Sequence, residues 1–183
     1  MQVSGPKVIS VSARNGHGLG KTVASSIRLV AGQGVEGDAH RGITVKHRSR
    51  VAQNPDQPNL RQVHLIHKEL LDELNAKGFV AAPGELGENI LTEALALLVL
   101  PTGTRLHFPS GAVIILTGLR NPCHQLNGHS PGLMNALLDH APDGTLIRKC
   151  GVMGIIERGG TVRAGDNLTI IPPEPPHLVL KPV

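Results

Sequence analysis

Apolar residues in this chain come in short runs, each stopped within a few residues by glycine or proline. "KVISVSA", "LRQVHLI", "GAVIILTGL" and "GVMGIIERGG" are typical, and the longest unbroken run is "ALALLVL". Runs this short form strands or single helical turns and fall far below a membrane span. With 22 glycines and 14 prolines among 183 residues, turns are frequent. The expected architecture is therefore mainly β, with a few helices outside it. Tryptophan and tyrosine are absent and phenylalanine occurs twice, so Leu, Ile, Val and Ala must fill the core.

Individual segments sharpen this picture. "KVISVSA" alternates as a half-buried strand does. "SSIRLVAGQGVEGDAHRG" passes from a strand into a glycine-rich turn, and "TVKHRSRVAQNPDQPN" reads as a long basic loop. "HKELLDELNAKGF" is the clearest helix, with Leu70, Leu71 and Leu74 on one stripe and Gly78 ending it. "PGELGENIL" is a turn entering a strand, and "GTRLHF" and "GAVIILTGL" read as neighbouring strands. "PGLMNALLDHA" suits a second helix. Gly-Gly inside "GVMGIIERGGTVRAGDNLTII" signals a hairpin, followed by a tight turn at "RAGD". The proline-rich tail 172–183 resists continuing a central strand. Nothing repeats and no linker divides the chain, so residues 1–183 read as one domain with a core over about 8–171.

Charge and cysteine content narrow the function. A net charge of +4 favours anionic partners. Without aromatic platforms or dense basic clusters, it does not argue for nucleic acid. Two cysteines make no disulfide framework, and no apolar leader opens the chain. A cytoplasmic protein with reduced thiols is expected, without membrane attachment. Cys150 lies in an apolar strand context and reads as packing. Cys123 differs: "LRNPCHQLNG" is polar and turn-forming, Pro122 stiffens the approach, and Arg120 and His124 flank the thiol. Such surroundings favour a thiolate that attacks sulfur or binds a soft or high-valent metal. The alternative is a small, partly buried residue without a role. A zinc site is not expected, since there is no C-x-x-C pair and no H-E-x-x-H.

Other residues have two readings each. Asp38 and Arg41 belong to "GVEGDAHRG", where glycine amides and a cation would cradle phosphate or simply form a turn. Arg120 and Asn121 stand beside the cysteine, the first suited to phosphate and the second to the edge of a heterocycle. Asn89 would serve similarly, whereas Glu85 and Glu88 read as turn residues or cation partners. Arg61 alternates with Val63 and Leu65 and is expected to share their face, where it needs an anionic partner. "KHRSR", with Lys46, Arg48 and Arg50, reads first as a solvated loop and second as an anion-facing lid.

Four segments taken in order, "GVEGDAHRG", "GELGENIL", "LRNPCHQL" and "GVMGIIERGGTVRAGDNL", resemble a MOSC domain. This is the C-terminal domain of molybdenum cofactor sulfurases, which also occurs alone in small bacterial proteins. The resemblance spans about Val8 to Ile171. It implies a β-barrel with a few peripheral helices, binding or sulfuration of the molybdenum cofactor, and a functional cysteine at Cys123. That cysteine would be the molybdenum ligand or a sulfur carrier. Asp38, Arg41, Arg61, Asn89, Arg120 and Asn121 would hold the cofactor. Some members are similar to reductases of N-hydroxylated compounds. That activity implies a small-molecule substrate and an electron-donor protein, while the transfer role implies a sulfur donor. The sulfurase's pyridoxal-phosphate domain lies outside the resemblance, so pyridoxal phosphate is not expected here. Two other readings stand beside this one. One is a non-catalytic module for a phosphorylated small molecule or partner protein. The other is a Cys-His hydrolase with His124, His129 or a distant histidine as base, of which His124 is poorly placed because adjacent residues on an extended chain point apart.

Overall fold

A computed structural model describes residues 5–183. In chain order it contains β1 (Lys7–Ala13), β2 (Thr22–Ala24), β3 (Ser26–Val30), β4 (Gly34–Val35), α1 (Arg48–Gln53), β5 (Val63–His67), α2 (Lys68–Ala76) and β6 (Ile90–Glu93). There follow β7 (Arg105–His107), β8 (Val113–Leu119), α3 (Gln125–His129), α4 (Leu133–Ala136), β9 (Leu138–His140), β10 (Leu146–Arg148), β11 (Val152–Arg158), β12 (Gly160–Arg163) and β13 (Thr169–Ile171). The fold is mainly β with few helices, as the short punctuated runs require.

The expectation of a barrel needs correction. Eight strands form one open sheet in the order β13-β7-β8-β11-β5-β6-β1-β2. All the pairings in it are antiparallel except β5 with β6. Its edge strands β13 and β2 do not pair with each other. A second sheet, β12-β3-β4, lies across the first, with β3 and β12 against β1 and β11. The main sheet thus hides its apolar face under a cover instead of closing on itself. Val8, Val11, Val63, Leu65, Ile114, Leu116 and Val152 meet Ile27, Leu29, Val35 and Val162 in this core.

The cover also explains why Gly159-Gly160 does not turn a hairpin. β12 pairs with β3, not with β11, so the chain crosses there between sheets. A Cβ on Gly159 would come 2.8 Å from the Leu29 carbonyl oxygen, and one on Gly160 3.0 Å from Ala112 Cβ. Only glycine permits so close a crossing.

Helices cover the other face. Leu70, Leu71 and Leu74 of α2 pack with Ile66, Leu86, Leu126, Leu133, Leu137 and Cys150 in a second core. Cys150 is fully buried, and burial pushes its thiol up. The expected second helix is shorter than its sequence suggests. Gly132 at φ +82° separates α3 from α4, and the chain enters β9 at Leu138. The basic loop holds a short helix, α1, that buries none of its residues. In the tail, Leu180 reaches the first core, and the Leu178 and Lys181 carbonyls accept from Thr102 and Leu119. Among the described residues no helix is long and apolar enough to cross a membrane.

Candidate functional site

Strand alternation creates the site. On β5, Val63 and Leu65 turn into the first core, while Ile66 joins the second core and His64 faces a cavity. Met153 of β11 is paired with His64 and lines the same cavity, of about 400 Å³. The segment after β8 closes one wall, where the Arg120 N–H donates to the Gly151 carbonyl at 3.0 Å. Arg120, Asn121, Cys123 and His124 line that wall. Among the described residues the half-buried Cys123 thiol has one contact in hydrogen-bond range, 3.9 Å to Gln125 Oε1.

The lining is cationic. Lys21, Arg48, Arg61 and Arg120 face the space together with His17, His40, His47, His64 and His124, and among the described residues no carboxylate lines it. The histidines do not all add charge. Burial, then His40, Arg61 and Arg120, lower His47 to about 3, and its Nε2 is buried without a partner. Its ring stacks on His40 at 4.4 Å. Burial, then Arg50 and Arg120, lower Arg61 to about 10, so it stays charged at neutral pH.

Asp38 sits behind this wall as a buried hub. Its carboxylate accepts from Lys21 Nζ at 2.8 Å, Asn89 Nδ2 at 2.9 Å and the His40 N–H at 3.0 Å. Burial alone would raise its pKa, but His40 and Lys21 outweigh burial and hold it well below the carboxylate range. Asp38 itself does not line the cavity; it holds Lys21, His40 and Asn89, which do. Asn89 commits both amide hydrogens internally, to Ser12 O and Asp38 Oδ2, and accepts from the His64 N–H. It lines the cavity with little left to offer a ligand. Asn121 has its oxygen occupied by Arg148 Nε at 2.6 Å, which leaves its Nδ2.

Two placements differ from expectation. Arg61 precedes β5 and faces the cavity, not the core that takes Val63 and Leu65, because a cation in that apolar core would have no partner. Arg41 lies outside the cavity altogether. The Asp38 carboxylate fixes His40 on the cavity side, and Arg41 turns the other way. There its Nε and Nη2 donate to Gln33 Oε1, and it lines a separate open cleft with Arg28 and Glu36. Glu85 and Glu88 are turn residues, accepting from the Ala82 and Gly84 N–H groups.

Sequence reasoning missed His17, Lys21, His47 and His64, and read Arg48 first as solvated. One signal was available for His64: a lone polar residue inside the apolar run "VHLI" must be satisfied or functional. His17 and Lys21 stand far from Cys123 in sequence, and no local pattern joins them.

These histidines predict an acid response. His47 takes its proton near 6.5 in the unfolded chain but only near 3 in the fold. Between those values the unfolded chain holds more protons, so stability falls as pH falls. Asp38, depressed in the fold, adds a further loss below about pH 4, the ordinary aspartate value. Urea midpoints measured across pH are expected to decline from about pH 6 and steepen below about 4. A midpoint flat down to that point would contradict the buried neutral histidine.

Comparison with known proteins agrees with the segment order. The MOSC domain matches residues 48–169. Bacillus subtilis (strain 168) YuaD, named as a provisional metal-sulfur cluster biosynthesis protein, is 31% identical over 150 residues, covering 75% of this chain and 76% of that protein. The crystal structure of Bacillus subtilis YuaD superposes with a TM-score of 0.73 at 26% identity, covering 92% of this chain and 97% of the other. YiiM from Geobacillus stearothermophilus shares the fold with a TM-score of 0.65 at 14% identity, covering 95% and 79% of the two chains. With the family match over most of the chain, and a relative of like sequence and like fold, this protein belongs to the MOSC domain family.

Proposed function

We propose that this protein binds the molybdenum cofactor in the Cys123 cavity, with the Cys123 thiolate as metal ligand or sulfur carrier. One observation carries the reading: an accessible thiol opens on a cationic cavity of about 400 Å³ that no carboxylate lines among the described residues. That is within the usual range of small-molecule sites, about 300–1,000 Å³. The donor set fits the group. Thiolate suits molybdenum, arginines suit the phosphate, and the free Asn121 amide suits a pterin edge. Among the described residues no three His, Cys, Asp or Glu side chains are grouped to hold a metal. A pterin dithiolene would supply further ligands to a metal held by Cys123.

When bound, the cofactor supplies the redox and sulfur chemistry. The chain's own residues do the rest. Arg48, Arg61 and Arg120 attract and orient the anionic end, neutral His47 adds a hydrogen-bonding ring nitrogen without further charge, and Cys123 presents sulfur. A reductase of N-hydroxylated compounds would draw electrons from a partner protein, and a carrier would exchange sulfur with one. Either role suits a reducing cytoplasm, which keeps the thiol free. The metal-sulfur biosynthesis name of YuaD favours the carrier role.

The test is elemental analysis of protein expressed in cells that make the cofactor. Wild-type protein is expected to carry molybdenum, and Cys123→Ser to lose at least about tenfold. Equal molybdenum in both would remove Cys123 from the site. Cofactor-free wild-type protein that still binds phosphorylated small molecules would favour the non-catalytic module.

A further inference from the structure

Among the cavity's cations, Arg120 is held in a particular way. Its Nη1 lies 3.0 Å from His64 Nδ1 and also donates to the Leu86 carbonyl. A guanidinium has no acceptor atom, so His64 Nδ1 must accept and carry no proton. The ring's one proton then sits on Nε2, which donates to the Cys150 carbonyl at 2.8 Å. Both nitrogens are committed, and the fold sets the tautomer. His64 is 3% exposed; burial, then the Arg120 charge, keeps its pKa well below 6.5.

A cation withdrawn from solvent, fully or in part, is commonly held by a carboxylate, which also cancels its charge. Lys21 follows that rule in the same cavity, paired with Asp38. Among the described residues Arg120 has no ion pair. Glu88 feels its field but makes no ion pair with it, and burial pushes Glu88 up towards its neutral form. A neutral ring thus keeps Arg120 in place and leaves its charge intact. Arg61 and Arg120 repel each other across the cavity. That repulsion disfavours bringing the two guanidinium groups together, and an anion between them relieves it.

We infer that His64 is a positioning residue: it holds Arg120 as an uncancelled donor for the terminal phosphate of the ligand. A carboxylate at position 64 would hold Arg120 equally well and cancel the attraction. The inference rests on the proposed function only in taking the ligand to be phosphorylated.

The test uses protein made in cells that lack the cofactor, with inorganic sulfate as a probe of the same shape and charge. In wild type, nitrogen NMR is expected to find His64 as the Nε2–H tautomer at neutral pH. By calorimetry, Arg120→Gln is expected to weaken sulfate binding by about tenfold or more. His64→Phe should weaken it by a similar factor while folded. His64→Asn, whose Oδ1 restores an acceptor near Nδ1, should stay within about threefold of wild type. An Nδ1–H or doubly protonated ring in wild type would overturn the inference. So would a folded His64→Phe that binds sulfate as wild type does, or a folded His64→Asn that binds as poorly as Arg120→Gln. If His64→Phe does not fold, the tautomer and His64→Asn decide. Because sulfate binding needs no molybdenum, loss of the metal reading leaves this result standing, and the reverse also holds.

Discussion

Asp38→Ala is expected to cost about 3–5 kcal/mol of folding stability, the range for removing one partner of a buried ion pair. Lys21 and Asp38 side chains are 5% and 2% exposed, so the ammonium left behind is poorly hydrated. The loss goes beyond one pair. Asn89 and His40 also donate to this carboxylate, and Asn89 links it to Ser12 on β1 and to His64 on β5. Urea unfolding of Asp38→Ala measures the total. Adding Lys21→Met removes the stranded charge and is expected to recover a substantial part of it. A double variant as unstable as the single one would show that the amide and histidine bonds, not the ion pair, dominate.

Gly151→Ala is the second large effect, expected to cost about 3 kcal/mol or more. The residue has φ +86°, where a side chain costs about 1–2 kcal/mol. A Cβ would also stand 2.2 Å from the Leu65 carbonyl oxygen and 3.0 Å from His64 Nε2. Forced overlap of this kind adds about 1–3 kcal/mol. Gly144 separates the two costs: it has φ +84°, and a Cβ there would meet nothing within 4 Å. Gly144→Ala is therefore expected to show the backbone cost alone, and equal losses at the two sites would refute the steric argument. Gly151→Ala should also disturb the site, because the Gly151 carbonyl anchors the Arg120 N–H and His64 lies against it. Weaker sulfate binding than in Gly144→Ala checks that link.

Much of the fold is legible in local pattern. "KVISVSA" is β1 residue for residue, and the Leu70, Leu71, Leu74 stripe is the buried face of α2. These follow from side-chain period, which neighbours in sequence carry by themselves. Failures cluster where a distant partner decides. Gly-Gly after β11 has the look of a hairpin, but β3, more than a hundred residues earlier, supplies the pairing for β12. The open sheet likewise depends on which element covers the apolar face, a choice no single segment records.

The site divides along the same line. Residue chemistry alone marks Cys123, Arg120 and Asn121 as candidates, since they lie within four positions of one another in a polar, turn-forming stretch. Only the tertiary structure brings Lys21, His47, Arg61 and His64 to the same cavity and sends Arg41 to another. Charge and hydrogen-bond capacity belong to each side chain and can be read one residue at a time. Which charges stay uncancelled depends on distances between segments far apart in the chain, and those distances exist only once the two sheets and the helices have packed.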